Sequence, residues 1–508
     1  MMAPTHRKGA LVPGLAALLL ATAGCATVGH SQYARQGLPV EPAWQDQASG
    51  APASRSGPWW DEFGDPELSA LVERTLAQNG DLAAAGIRLR QARMSASLAA
   101  TGLLPSFGAG VSSGASQALE QGGSWNESSS GSLDASWEVD LFGRLDAEQR
   151  AAQWEAQATG QDLAATRLSL AGTVVSTWWQ LAYANERIAL AERSLAYLRR
   201  TLDLVETQYK AGAIALLDVR EAQQTVTSQE ASLTQLQQAR VEARNALAAM
   251  LGQQVYDGPE RLTLPREDLP AVAAGVPADL LARRPDLAAS EDRLRRTLAN
   301  ADATAASYYP HLSLTGALGV ASDNLLSLLS NPVATIGAAL SLPTLNPEEI
   351  RLGTDIARAD YEIAAEQFRQ DFYDALRDTA DALSARARYI EQADALDRTL
   401  SAAREAEQLY GRQYAAGAIP LRNWLDAVER RRSAESGVVE NRLNQLYAQI
   451  ALYQALGGDE PDRLADGSET AFGARSVQVG ALGDRLTAEP AHTSPIADIA
   501  VLLAVAAQ

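Results

Sequence analysis

Few residues in this 508-residue chain have both the type and the company to do chemistry, and the single cysteine, Cys25, is the clearest. The positive residues His6, Arg7 and Lys8 open the chain, the apolar run Leu11–Leu20 follows, and Ala21-Thr22-Ala23-Gly24 lead into Cys25. That run is too short to span a bilayer and suits a secretory signal. Small residues before a cysteine have the form of a bacterial lipoprotein processing site, where the peptide is cut ahead of the thiol and the sulfur is acylated. Thr22 stands where such sites usually carry leucine. The alternative is an ordinary small-residue cleavage site with an incidental cysteine. Either way residues 1–24 are expected to be removed and the mature protein to leave the cytoplasm. Ala26 and Thr27 follow, so no aspartate beside Cys25 argues for retention at the inner membrane.

Other reactive types do not assemble. His6, His30, His311 and His492 are scattered and suggest no metal cluster. Glu348-Glu349 has the carboxylates for acid–base work, but nothing completes a site. The serines lack a histidine and aspartate constellation. No glycine loop leads into a helix with Lys and Ser or Thr. Trp178-Trp179 is expected to pack between helices rather than hold a cofactor. The chain is therefore read as a non-enzyme with no catalytic residue, metal or cofactor. A net charge of −19 sets it against nucleic acid, which needs clustered Lys and Arg.

The elements come from an internal repeat. Asp81-Leu82 and Asp286-Leu287, Pro105 and Pro310, Tyr209–Ile214 and Tyr414–Ile419, and Leu251-Gly252 and Leu456-Gly457 all lie 205 residues apart. Four landmarks at one offset mean two tandem copies, residues 59–258 and 276–458, joined by a proline-bearing linker, residues 259–275. Each copy opens with an amphipathic helix, near 81–103 and 286–308, that a proline ends. Alternating segments follow: His311–Leu318, Leu133–Leu141 and the weaker Ala334–Leu342. The Gly/Ser/Asn-rich stretch Gln121–Gly131 reads as a loop. Each copy thus supplies two strands.

A very long helix comes next. No proline lies between Pro105 and Pro259 or between Pro347 and Pro420, and the helical pattern from Arg144 to Ala211 is about 100 Å long at 1.5 Å per residue. Leu181, Ile188, Leu195, Leu202 and Tyr209 recur every seven residues, with Ala184, Ala191, Leu198 and Val205 in the second seam position. Gly212 ends the run, and a helix with Val219, Val226 and Leu233 in its seam returns to Leu251. Copy two repeats the hairpin around Gly417, with rougher heptads through Leu376, Leu383 and Ile390. No later apolar run reaches about 18 residues, so a membrane-spanning role requires a β-barrel. One chain's four strands cannot close one. Three chains supply twelve, and six hairpins for a helical tube, and the count alone also allows other multiples.

Several motifs resemble the NodT-type lipoprotein branch of the TolC-like outer-membrane efflux factors. Trp59–Leu68 (WWDEFGDPEL) is similar to that branch's opening, and Val276–Leu287 (VPADLLARRPDL) to its mid-chain signature. Trp137–Arg144 (WEVDLFGR) and Tyr308–Gly316 (YYPHLSLTG) resemble its strand borders. The likeness covers residues 59–458. It implies a mainly α fold with a small β part: a long α-helical barrel of coiled-coil hairpins plus a membrane β-barrel, four strands per chain and twelve per homotrimer. It also implies an outer-membrane location and docking to a periplasmic adaptor and an inner-membrane pump, commonly of the resistance-nodulation-division type. Drugs and other small molecules would pass through unchanged.

The same resemblance gives the hairpin tips a role. Ala211, Gly212, Ala213 and Ile214 in copy one, and Ala416, Gly417, Ala418 and Ile419 in copy two, become adaptor contacts; otherwise each glycine merely turns the chain. Asp426 matches the family's acidic gate position and Tyr414 a tyrosine that helps hold the closed state. Arg422 stands where an apolar constriction is usual. It would sit beside a ring of three Asp426 carboxylates, pair with Asp426 along the helix, or simply face solvent. Two other readings stay open: a secretion duct for polypeptides, and a non-conducting coiled-coil lipoprotein scaffold. Residues 25–58 read as a lipidated extension, and 459–508 as an acidic low-complexity tail of no assignable role.

Overall fold

The computed structural model describes residues 31–33, 43–44, 58–117, 125–272, 277, 280–322 and 332–458. Cys25, the Leu11–Leu20 run and the 459–508 tail lie outside the described residues. In chain order the main elements are α1 (Pro66–Gln78), α2 (Gly80–Thr101), β1 (Ser106–Ser116), β2 (Asn126–Val139), α3 (Arg144–Lys210) and α4 (Leu216–Met250). Then follow α5 (Pro285–Ser307), β3 (His311–Ser322), β4 (Pro332–Ser341), α6 (Pro347–Ala415) and α7 (Leu421–Ala455).

Each copy is one very long helix flanked by two shorter ones set end to end. The long helices α3 and α6 have 67 and 69 residues. Asn79 makes the end-to-end joint in copy one. Its side chain caps α2 by accepting from the Leu82 N–H at 3.0 Å and donates to the last carbonyl of α4, that of Met250, at 2.9 Å. In copy two Gly457 (φ 88°) makes the matching joint, where a Cβ would lie 2.3 Å from the Arg283 carbonyl oxygen, so only glycine fits. The backbone repeats the 205-residue offset at both ends of the hairpins. Between these ends the borders drift by a few residues, with α3 starting at residue 144 and α6 at 347.

Two of the four quoted motifs are structural anchors. Trp59 and Trp60 are buried, as are Trp178 and Trp179 of α3, which pack with Val439, Leu443, Leu446 and Tyr453 of α7 in the main core. Asp65 caps α1 by accepting from the N–H groups of Glu67 and Leu68, and it also accepts from Trp178 Nε1 at 3.1 Å and pairs with Arg261 at 2.8 Å. Further along, Leu280 and Leu287 of the mid-chain motif pack on Phe372 and Ala375 of α6.

The seams need one correction in each copy. Ala184, Ala191, Leu195, Leu198 and Val205 are buried as expected, whereas Tyr209 is exposed. In α6, Leu383 is buried but Ile390 is exposed. The true seam there runs one position away, through Phe368, Phe372, Ala375, Thr379 and Ala382, spaced alternately by four and three residues. Aromatic and small residues fill it, so a search for aliphatic heptads slips off phase. Helix α1 was not foreseen.

The sheet is an antiparallel meander in the order β1-β2-β3-β4. Expected loop residues 126–131 belong to β2, where the ladder pairs Asn126–Gly131 with Val111–Ser116. Their serines have weak strand propensity, but the ladder to β1, joined from Ser129 onward by that to β3, gives the backbone partners. The register sorts the side chains. Phe107 lies opposite Ala135, Leu133 opposite Leu318, Gly316 opposite Ile336 and Leu312 opposite Leu340, so one face is apolar from edge to edge. Ile336 is 93% and Phe107 82% exposed there. The other face carries Ser106, Ser112, Ser130, Asp134, Ser136, Ser313 and Thr315, with Ser112 and Ser130 hydroxyls 2.8 Å apart. Strands of 10 to 14 residues with apolar and polar faces in alternation have the length and pattern of a membrane barrel wall. Trp137, held by a 3.0 Å bond from its Nε1 to the Leu103 carbonyl, and Phe107 mark one rim, and exposed Trp125 the other. Beneath the sheet α2, α3, α5 and α6 pack in that lateral order, continuing the strand order. Among the described residues no helix is long and apolar enough to cross a membrane.

Candidate functional site

The tips at the far end of the hairpins share one turn. Gly212 (φ 74°) and Gly417 (φ 72°) both take the left-handed conformation. The Gly212 N–H donates to the Tyr209 carbonyl and the Ala213 N–H to the Gln208 carbonyl; Gly417 and Ala418 repeat this onto Tyr414 and Gln413. Crossed bonds of this kind satisfy the last helical carbonyls and let the chain reverse within a few residues. Ala211, Gly212, Ala213, Ala416, Gly417 and Ala418 are exposed, while Ile214 and Ile419 are half-buried. A Cβ at either glycine would meet open space, so backbone conformation alone selects glycine there.

The side chains around the turns differ. The Tyr414 hydroxyl donates to Gln208 Oε1 at 2.7 Å, tying copy two's tip to copy one's. Its ring stacks on Trp424 with centroids 5.2 Å apart, and Trp424 meets Tyr197 of α3 edge-on at 6.1 Å. Beneath them Val205, Val219, Ala222, Leu421 and Leu425 form a small core shared by both hairpins. Burial, reinforced by the negative charge of Asp218, pushes the Tyr414 phenol above its ordinary value, so it keeps the proton it donates. Burial and the neighbouring Glu407 carboxylate push Tyr197 up to about 12. Glu407 in turn pairs with Arg431, which reaches Glu435 at 2.5 Å, while Arg404 meets Glu435 at 3.1 Å, lacing α6 to α7.

Of the three expected gate residues, only Tyr414 enters this cluster. Arg422 and Asp426 lie one turn apart on an exposed stripe of α7, and among the described residues no ion pair joins them. Gln208, Tyr197 and Trp424 were missed by the sequence reading. Gln208 carried a signal, because Gln-Tyr precedes the turn in both copies. Among the described residues no group of three or more His, Cys, Asp or Glu is placed to hold a metal ion.

The model of the outer membrane efflux protein family matches residues 71–253 and 276–458, the two structural copies just described. This chain belongs to that family. The pyoverdine export outer membrane protein OpmQ of Pseudomonas putida is 32% identical over 444 residues, covering 84% of this chain and 94% of its own. The toxin and drug export protein A of Aggregatibacter actinomycetemcomitans is 30% identical over 403 residues, covering 79% of this chain and 88% of its own. Among solved structures, the open state of the MtrE outer membrane channel of Neisseria gonorrhoeae superposes with a TM-score of 0.76 at 28% identity, over 85% of this chain and 98% of that one. This outer membrane efflux protein is thus a channel-family member placed in the outer membrane and reaching into the periplasm, where such proteins work with adaptors and inner-membrane pumps.

Proposed function

We propose that three copies of this outer membrane efflux protein form a gated, passive duct for small molecules. The observation that carries this is the sheet with one apolar and one polar face and two unpaired edges, β1 and β4. Open edges are not viable in lipid, so β4 of one copy pairs with β1 of the next until twelve strands close. The helical layer below has the same two edges, and each exposes an apolar stripe. Ile87, Met94 and Leu98 stand on α2, and Leu352, Ile356 and Ile363 on α6. Packing one stripe on the other closes the helices in register with the strands.

Lipid anchoring fits the reach of the N-terminus. Ser31 donates to the Asp302 carboxylate from its N–H at 3.1 Å and its hydroxyl at 2.6 Å, and Arg295 lies over the Tyr33 ring at 4.9 Å. Asp302 sits nine residues before β3, about 14 Å along the helix from the sheet. Cys25 lies six positions before Ser31, a reach of about 20 Å, enough to bring an acyl chain on Cys25 to the membrane surface. In this reading residues 1–24 are removed, 25–58 are the anchored extension, and 59–258 and 276–458 are the two functional copies.

The tips, including Ile214 and Ile419, meet a periplasmic adaptor coupled to an inner-membrane pump, which by family resemblance is of the resistance-nodulation-division type. Asp426 and Arg422 line the entrance with Tyr414 as its latch. Export of small molecules is favoured over polypeptide secretion by the printed names of the relatives, one for pyoverdine and one for toxin and drug export. Recording in planar bilayers tests the duct: discrete single-channel currents are expected, and current absent even from the Asp426→Ala and Arg422→Ala variants sinks it. A susceptibility panel on a deletion strain separates drug export from secretion, since unchanged drug tolerance with loss of a secreted polypeptide favours the latter.

A further inference from the structure

We infer that the helical edge where one chain meets the next is a second version of the seam between α3 and α5, with Asp360 facing Gln91 and Gln367 facing Arg88 of the neighbouring chain. This rests on the three-chain duct proposed above. Within one chain the seam joins the two repeats. Ala147, Ala151 and Ala158 of α3 are buried, as are Asp292, Ala299 and Ala303 of α5. The α5 trio lies half a turn round the helix from Leu294, which packs with Ala365 and Phe368 of α6, so it faces the other neighbour, α3. Ion pairs flank this strip. Arg296 meets Glu155 at 2.5 Å, Arg293 meets Asp162 at 3.2 Å, and Arg150 lies 3.7 Å from Asp302.

The repeat carries this seam onto the two open edges. Helices α3 and α6 run unbroken into turns 205 residues apart, and α2 and α5 begin 205 residues apart at Gly80 and Pro285, so one offset serves all four. It takes Ala147, Ala151 and Ala158 to Leu352, Ile356 and Ile363 of α6, and Asp292, Ala299 and Ala303 to Ile87, Met94 and Leu98 of α2. Positions buried at the seam within the chain are thus the exposed apolar ones at its edges. The change from alanine to leucine, isoleucine and methionine has a physical reason. The in-chain seam is tethered, so small residues suffice. Separate chains lose translational and rotational freedom on joining, and larger apolar side chains offset that cost. The flanking pairs change in kind but stay complementary. Glu155 and Arg296 become Asp360 and Gln91; Asp162 and Arg293 become Gln367 and Arg88. An amide can donate to the carboxylate in the first pair and accept from the guanidinium in the second. All four side chains are exposed, and among the described residues none has a hydrogen-bond or ion-pair partner in its own chain.

Engineered cysteines read the register directly. Glu155 stands level with Arg296. One turn nearer the sheet this sets Ala151 beside Ala299 and, by the offset, Ile356 of one chain beside Met94 of the next. Oxidation of the Met94→Cys/Ile356→Cys variant in membranes is expected to link chains covalently on denaturing gels. Met94→Cys/Ile363→Cys, displaced by two turns, is expected to stay unlinked, with the single-cysteine variants as controls for Cys25. The polar pairs are tested by charge. Gln91→Glu sets a carboxylate against Asp360 and is expected to lower the trimer-to-monomer ratio in detergent roughly tenfold. Asp360→Arg in the same chain is expected to restore it, a partner-specific rescue that general packing damage would not show. Gln367→Arg, set against Arg88 and rescued by Arg88→Glu, repeats the test if Gln91→Glu fails to fold. The seam is overturned if the predicted cysteine pair stays unlinked, if the displaced pair links as well, or if the charge variants leave the ratio unchanged or unrescued while the parent is trimeric and conducts. A parent that neither trimerises nor conducts overturns the duct reading and the seam with it.

Discussion

The two hairpin tips have the same backbone and opposite uses of it. Both turn on a left-handed glycine with the same hydrogen bonds, and both are preceded by Gln-Tyr. Yet Tyr209 is exposed, whereas Tyr414 is half-buried, stacked and bonded to Gln208. Copy one exposes Leu216 and Leu217; copy two buries Leu421 and presents Arg422. Val219 in copy one is replaced by Trp424, which fills the space between hairpins. Duplication supplied a turn that tolerates almost any neighbours, because nothing lies within 4 Å of either glycine's missing Cβ. The side chains just outside the turn were then free to diverge into a joint on one side only.

Paired substitutions test that contrast. Leu421 is 1% and Leu216 47% exposed. Leu421→Ala is expected to cost about 2–4 kcal/mol at the tip and Leu216→Ala less than about 0.5 kcal/mol, as read by hydrogen exchange of the α7 and α4 first turns. Equal protection losses would erase the contrast. The turns themselves should behave alike. Gly212→Ala and Gly417→Ala are each expected to cost about 1 kcal/mol, because each places a Cβ at positive φ, and a marked difference in their thermal or exchange profiles would show that the turns are not equivalent. Tyr414→Phe is expected to weaken tip closure by about 1 kcal/mol and Tyr209→Phe not at all; protease nicking of the tips reads the difference. The smallest effect is that of pH. Tyr414 is held above its ordinary value of 10.0, first by burial and then by Asp218. Its latch is complete below that value and lost as pH climbs through the raised one. The Tyr414→Phe difference should therefore be constant through neutral pH and shrink only in strong alkali.

Much of the scaffold was legible because it depends on period and punctuation. Constant spacing around Pro105, Pro310, Gly212 and Gly417 revealed the copies, and period-two alternation revealed strands at Leu133 and His311. The start of β2 was not, because Ser128–Ser130 have the composition of a loop and become strand only through their partners. The α6 seam slipped because phenylalanine, alanine and threonine carry it. At the site, Tyr414 was legible by resemblance. Gln208 was marked only by the Gln-Tyr pair before both turns, and Trp424 by nothing, since a tryptophan on a helix gives no sign of which helix it will meet. Those contacts join residues about 200 positions apart and exist only after both hairpins dock.

On the proposed duct reading the second tip, and not the first, faces the conduction path. Reversal potentials across a salt gradient test it on two single variants. Asp426→Lys should shift selectivity strongly toward anions, because three carboxylates at the entrance become three ammonium groups. Glu221→Lys, the same charge change 205 residues earlier in copy one, should leave it near that of the parent. Equal shifts in both variants, or a larger shift for Glu221→Lys, would contradict the account.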